Sequence, residues 1–407
     1  MKKNKIKVVD LFAGCGGLTE GFMQTGYYDE VAAVEWLKPQ VETLRKRLNN
    51  KWNVKHADES VMHFDIQREE ELFYGWENDN EFGSSKGLDY YIKKAKGIDL
   101  IIGGPPCQAY SIAGRVRDEN GMKNDYRNFL FEHYLNVVNR YRPKAFIFEN
   151  VPGLLSAAPN GKPIQDIIRA EFNNIGYDII EDLKSYALVN ASDYGVPQNR
   201  NRLIILGIDK NIYKNSQEAL KNFYINILPK YKVSYKKTVK DAIGDLPVCK
   251  PIYSEESHKK HISHTSPICS ISWHTPRYSN LRDMDTFKTL AKDVETGEKI
   301  YDSKMISKLY EEKIGSKSPI HRYHVLEPNS PSTTIIAHLY KDGNRFIHYD
   351  SKQCRTITVR EAARLQSFAD DFDFVGTQGN AYQMIGNAVP PELAKNVAKA
   401  IYDFLCS

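Results

Sequence analysis

Along the first 208 residues, short apolar runs alternate with stretches in which apolar positions recur every three or four residues. The runs at Lys7–Leu11, Val31–Glu35, Val54–His56, Asp99–Ile102, Ala145–Phe148 and Leu203–Gly207 predict strands. The amphipathic stretches Gln40–Leu48, Asn128–Arg140 and Ile164–Asn174 predict helices between them. Strand and helix in alternation predict an α/β fold with an open, mostly parallel sheet. Residues 66–98 are polar, acidic and aromatic, and read as an excursion between two strands. From about 209 the rhythm is lost, and Pro, Ser, His and Lys become frequent. It returns near 354: Val359–Ser367 predicts a helix, and Pro390-Pro391 starts a terminal helix over Glu392–Phe404. The expected organisation is a main domain over 1–208, a smaller irregular domain over 209–353, and a return to the main domain over 354–407.

Charge sharpens this division. The net charge of +5 is unevenly placed. Residues 211–350 carry 22 Lys+Arg against 16 Asp+Glu, while the rest of the chain carries 34 against 35. A basic middle segment favours a polyanionic partner. No window approaches the roughly 18 apolar residues of a membrane span. The basic start Met-Lys-Lys-Asn-Lys lacks the apolar stretch of a signal peptide, so a cytoplasmic protein is expected. The six cysteines (15, 107, 249, 269, 354 and 406) show no CxxC spacing and are expected to be reduced. Cys249, His258, His261, His264 and Cys269 match no standard zinc spacing, and no metal is expected.

Five groups of residues carry chemistry. Asp10-Leu11-Phe12-Ala13-Gly14-Cys15-Gly16-Gly17 is a strand end, a glycine-rich turn and a helix start, which suits a nucleotide-type ligand. Glu35 ends the second expected strand, where an acid can bond ribose hydroxyls; Trp36 can stack on an adenine, and Asp58 can accept from its amino group. Gly103-Gly104-Pro105-Pro106-Cys107-Gln108 holds a thiol on a rigid frame at the end of a central strand, a candidate nucleophile. Glu149, directly after the apolar strand 145–148, is a candidate general acid, since burial favours the protonated form. Arg200 and Arg202 lie two apart and would share one face of an extended chain.

With the stretches 355–366 and 382–391, these segments resemble, in order, the motifs of bacterial DNA (cytosine-5)-methyltransferases of the restriction–modification type. The resemblance covers residues 6–208 and 354–404. It implies a Rossmann-like, S-adenosylmethionine-dependent methyltransferase sheet with a target-recognition domain in the middle segment. It implies methyl transfer from S-adenosyl-L-methionine, released as S-adenosyl-L-homocysteine, to carbon 5 of a flipped-out cytosine in double-stranded DNA. Cys107 would attack carbon 6, Glu149 would bond the N3 side of the base, and Arg202 and Arg200 would hold the base and the catalytic groups. Gln108 and Ser111 would belong to a mobile active-site loop running to about Arg127. The cofactor residues would be Phe12, Ala13, Gly14, Gly17, Glu35, Trp36, Asp58, Pro106, Leu130, Asn387, Ala388 and Val389. Base-reading side chains would come from the middle segment, with Arg277, Asn280, Arg282 and Arg322 as candidates. A monomer suffices for this chemistry, and a restriction endonuclease is the expected functional counterpart, without a stable complex. Two alternatives are weighed: an RNA (tRNA) cytosine-5 methyltransferase, whose Cys-Phe-Thr signature is missing here, and an inactive DNA-binding relative, which would lack Cys107 or Glu149.

Overall fold

The computed structural model describes residues 5–105, 130–158, 161–315, 323–341 and 343–406. The chain opens with β1 (Ile6–Leu11), α1 (Gly17–Gln24), β2 (Tyr28–Glu35), α2 (Lys38–Trp52), the single turn α3 (Ala57–Ser60) and β3 (Val61–His63). The excursion follows as α4 (Glu69–Tyr74), a hairpin of β4 (Trp76–Asp79) and β5 (Gly83–Ser85), and α5 (Gly87–Lys94). Then come β6 (Leu100–Gly103), α6 (Leu130–Tyr141), β7 (Ala145–Asn150), α7 (Ile164–Asn174), β8 (Tyr177–Ile179), β9 (Leu188–Asn190) and β10 (Asn201–Asp209).

The large sheet runs β3-β2-β1-β6-β7-β10-β8, with β9 pairing β10. Strands β3, β2, β1, β6 and β7 are parallel, and β10 runs antiparallel to β7, β8 and β9. The central strands are buried on both faces: Val8, Val9, Leu100, Ile101, Ile102, Phe146 and Ile147 have no exposed surface. That is why they read as continuous apolar runs rather than as alternating ones. Strand order reverses between β1 and β6, so the crevice at their carboxyl ends is where such a sheet binds ligands.

One expected strand is not formed. Residues 54–56 are a turn after α2, which ends at a left-handed Asn53 (φ 54°), and the third strand is Val61–His63. Val61 and Met62 are buried, whereas Lys55 and His56 are exposed, so burial selects the later segment. The excursion has its own small core: Phe64 stacks on Trp76 at 3.7 Å, and Arg68 bridges Glu71 and Asp79.

Two compact units form: Met1–Gly195, Asn201–Ser234 and Ala388–Ser407 in the first, and Val196–Arg200 with Tyr235–Asn387 in the second. These divisions fall at other positions than 208/209 and 353/354. Residues 210–234 stay with the sheet because Tyr224 Oη accepts from Leu206 N and donates to Ile204 O (2.8 Å each), and Tyr213 stacks on Phe404. Residues 354–387 join the second unit because Ile357 N donates to Phe346 O and Gln198 reaches Leu365 O. The helix Val359–Leu365 starts on a capping box of Thr358 and Glu361. In the first unit, the terminal helix Pro391–Cys406 packs on α1. Among the described residues, no helix is long and apolar enough to cross a membrane.

Candidate active site

The glycine turn leaves β1 through Phe12, itself left-handed at φ 58°, and enters α1 at Gly17. A β-carbon on Gly17 would stand 2.3 Å from Val389 O and 3.2 Å from the Ala388 β-carbon. Three expected cofactor residues, Gly17, Ala388 and Val389, are therefore neighbours, and Gly17 is required by close approach. Asn387 ends a helix of the second unit (Gln378–Asn387). Among the described residues nothing lies within 4 Å of where a β-carbon on Gly14 would stand.

Glu35 braces this turn. Its two carboxylate oxygens accept from Gly14 N and Leu37 N, each at 2.8 Å. Burial pushes its carboxyl up, and the backbone N–H groups of Leu37, Gly14 and Trp36 pull it down. A carboxylate offers about four acceptor sites, so with three backbone donors one is left for an incoming hydroxyl. Trp36 beside it is 46% exposed, and Ala13 is buried beneath the turn.

Asp58 occupies a different place from the one expected. It lies in α3, at the amino end of β3, exposed and accepting from Asn49 Nδ2 at 2.7 Å. The acid at the carboxyl end of β3 is Asp65, which follows Phe64, whose N–H donates to Glu35 O. An acid directly after the Val61-Met62-His63-Phe64 stretch is the sequence signal for it, which a third strand at 54–56 does not carry.

Strand β6 ends at Gly103, and Gly104 and Pro105 extend from it. A β-carbon on Gly104 would come within 2.7 Å of Glu149 Oε2, so the glycine admits that carboxylate. Asn150 Nδ2 donates to Pro105 O at 3.2 Å, a positioning bond that residue type alone did not reveal. Pro106, Cys107, Gln108 and Ser111, together with the loop to Arg127, lie outside the described residues. Leu130 opens α6 as described and is buried.

Glu149 near the end of β7 pairs with Arg202 on β10, Nε to Oε1 at 3.0 Å, each side chain 12% exposed. Burial pulls the Arg202 guanidinium down from its ordinary value, and Glu149 works against that. Arg200 has a different set of partners. It precedes β10, belongs to the second unit, is buried, and donates to Ile335 O (2.6 Å) and Gly386 O (2.8 Å). Face-sharing between residues two apart holds only within extended strand, and β10 begins at Asn201.

In the second unit, Asn280 caps the helix Leu281–Thr296 by accepting from Asp283 N, and Arg277 donates to Leu339 O while lying over Tyr382. Arg282 pairs with Asp283, and Arg322 lies outside the described residues. His264 Nε2 bonds Gln353 O, and His274 Nε2 bonds Pro247 O at 2.8 Å, so these two rings are engaged by backbone carbonyls.

The family model of C-5 cytosine-specific DNA methylases matches residues 6–403. The chain is 32% identical to the type II methyltransferase M.Bpa9945I of Bacillus paralicheniformis, over 98% of this chain and 99% of that protein. It is 32% identical to the type II methyltransferase M.XorII of Xanthomonas oryzae, over 97% of this chain and 84% of that one. Among solved structures, a DNA modification methyltransferase encoded within a prophage (E. coli) superposes with a TM-score of 0.61 at 26% identity, covering 99% of this chain and all of that one.

Proposed function

Because the chain belongs to the family of C-5 cytosine-specific DNA methylases, we propose that it is the modification enzyme of a type II restriction–modification system. In this reading it methylates one cytosine within a short sequence of double-stranded DNA. The names of its relatives support the type II setting. The observation that carries the chemistry is the Glu149–Arg202 pair beside Gly104 and Pro105, whose chain leads directly into Pro106-Cys107.

The turn fits S-adenosyl-L-methionine: among the described residues nothing crowds Gly14, Glu35 retains an acceptor site beyond its three backbone donors, and Trp36 gives an exposed aromatic face. When bound, the cofactor supplies the methyl group. Phe12, Ala13, Gly14, Gly17, Glu35, Trp36, Pro106, Leu130, Asn387, Ala388 and Val389 are the proposed cofactor residues, with Asp65 taking the adenine-side role first given to Asp58.

Carbon 5 of cytosine is a weak nucleophile. The Cys107 thiolate forms a bond to carbon 6, and the electron pair of the 5,6 double bond becomes available at carbon 5. Glu149 hydrogen-bonds the N3 side and stabilises the ring as charge develops there, while Arg202 fixes the carboxylate. Once carbon 5 is methylated, its proton leaves to a base, the carbon–sulfur bond breaks, and the aromatic ring returns. The target carbon is unreachable in a stacked duplex, so the cytosine is flipped out, with Gln108 and Ser111 in the loop that closes over it. The basic residues of 211–350 contact phosphates and position the duplex. The enzyme acts as a monomer in the cytoplasm, paired in function with an endonuclease but without a stable complex.

The test is incubation of the purified protein with S-adenosyl-L-methionine and unmethylated genomic DNA, followed by bisulfite sequencing. Methylation at one short motif, absent with Cys107→Ala, is the expected result. A folded wild-type protein that binds the cofactor and leaves every cytosine unmodified would overturn the reading.

A further inference from the structure

Beneath the glycine turn lie two buried carboxyl groups that the methyl-transfer chemistry does not use. Asp10, on β1, is fully buried, and its Oδ2 accepts from Thr19 Oγ1 at 2.6 Å. That bond ties the strand before the turn to the first helical turn after it. Glu30, on β2, is 4% exposed. Glu30 pairs across the sheet with Val8, and Val8 and Asp10 lie on the same face of β1, so the two acids are diagonal neighbours. On that face the Tyr28 hydroxyl donates to Ala398 O of the terminal helix at 2.6 Å.

Among the described residues, neither oxygen of Glu30 nor Oδ1 of Asp10 has a hydrogen-bond partner. A buried ionised carboxylate without donors is very costly, whereas a neutral one is tolerated. Burial, then the charge of Asp10, pushes the Glu30 carboxyl well above its ordinary range. Burial pushes Asp10 up to about 7, against the Thr19 hydrogen bond and with the charge of Glu35. Among the described residues, the groups that act on the pair are Thr19 from α1, Glu35 from β2 and the Tyr134 phenol from α6, and none of these is a cation.

We propose that Asp10 and Glu30 form a proton-holding pair, in which a protonated Glu30 lets the Asp10–Thr19 bond fasten the glycine turn, and loss of that proton loosens it. Glu30 is thus a positioning residue for the turn. The consequence for S-adenosyl-L-methionine affinity rests on the cofactor reading above; the consequence for stability does not.

Folded-state values above the unfolded ones mean that the folded protein binds the extra proton, so stability falls as pH rises. The experiment compares wild type with Glu30→Gln, an uncharged near-isostere, by urea unfolding and by calorimetric titration with S-adenosyl-L-methionine between about pH 6 and pH 9. One proton changes the unfolding constant by up to about tenfold per pH unit. The expected result is a wild-type unfolding constant that climbs with pH more steeply than the variant's while the folded protein keeps the proton, with cofactor affinity weakening in the wild type from the pH at which the folded protein loses it. Equal slopes in the two proteins overturn the pair. Stability slopes that differ while affinity depends on pH equally in both overturn its link to the turn. If Glu30→Gln does not fold, the infrared spectrum of the wild type decides: a buried protonated-carboxyl band at neutral pH that bleaches on alkalinisation supports the pair, and its absence overturns it. A wild type that binds no cofactor at any pH defeats the cofactor reading, and the stability slopes still judge the pair.

Discussion

Glu149 and Arg202 meet at 3.0 Å from neighbouring antiparallel strands, although the direct sheet partner of Glu149 is Ile204. The pair is two positions off register, so the long arginine side chain leans along the sheet to reach the carboxylate. Two largely buried opposite charges that satisfy each other are costly to separate, because removing one leaves the other without compensation. Arg202→Ala should therefore lower kcat by about 100-fold or more, in the range for a misplaced acid–base group, while Arg202→Lys recovers part of the loss. Single-turnover kinetics on hemimethylated duplex would check this; an Arg202→Ala enzyme at wild-type rate would separate the pair from catalysis.

Gly104 should tolerate no side chain. Its added β-carbon would come within 2.7 Å of Glu149 Oε2, and overpacking of this kind costs about 1–3 kcal/mol. Gly104→Ala is expected to displace the carboxylate, so kcat should fall far more than cofactor affinity does. Gly17→Ala, which would meet Val389 O at 2.3 Å, should show the opposite split, with weakened cofactor binding measured by calorimetry.

Asp65 and Asp58 give a sharper contrast. Asp65 follows β3 two residues beyond His63, the sheet partner of Glu35, whereas Asp58 sits at the other end of that strand, bonded to Asn49. A hydrogen bond to a charged group is worth about 1.5–3 kcal/mol, and each 1.4 kcal/mol is about tenfold in affinity. Asp65→Ala should raise the S-adenosyl-L-methionine Kd about tenfold or more, and Asp58→Ala should leave it within about twofold. The reverse ranking would return the role to Asp58.

The central strands and α7 were readable because each is a long apolar run or a strongly amphipathic stretch, and Ile164–Asn174 forms at the expected bounds. The third strand was not, because the single Val54 and the Val61-Met62 pair are both too short to carry a pattern, and burial distinguishes them. The site residues on strand ends followed from the strands, so the misplacement of β3 carried Asp58 with it. The separation of Arg200 from Arg202 depends on where β10 begins, and the assignment of 354–387 to the second unit depends on bonds such as Gln198 to Leu365 across 167 residues. Such long-range partners leave no periodicity in the sequence.

The second unit should lose stability on acidification. Arg355 and Glu361 form a fully buried pair at 2.7 Å, with His348 Nε2 3.5 Å from the same carboxylate. Burial alone would raise the Glu361 carboxyl, but the Arg355 guanidinium outweighs it and holds the group down to about 2. Burial, reinforced by Arg355, pushes His348 down to about 4, and burial does the same to His264. For both histidines the unfolded chain binds the extra proton, so stability is lost as pH falls from about 6.5 towards 4. The depressed Glu361 carboxyl adds stability that is present above about 4.5 and is lost as pH falls further towards 2. Urea unfolding followed through Trp273 fluorescence, in a chain whose other three tryptophans are replaced by Phe, should show a midpoint that drops steadily below about pH 6.5. His348→Asn should flatten the upper part of that drop. Glu361→Gln should cost about 3–5 kcal/mol at neutral pH, since it leaves the Arg355 charge buried without its partner. A midpoint independent of pH over this range would mean that the histidines are not held neutral by burial.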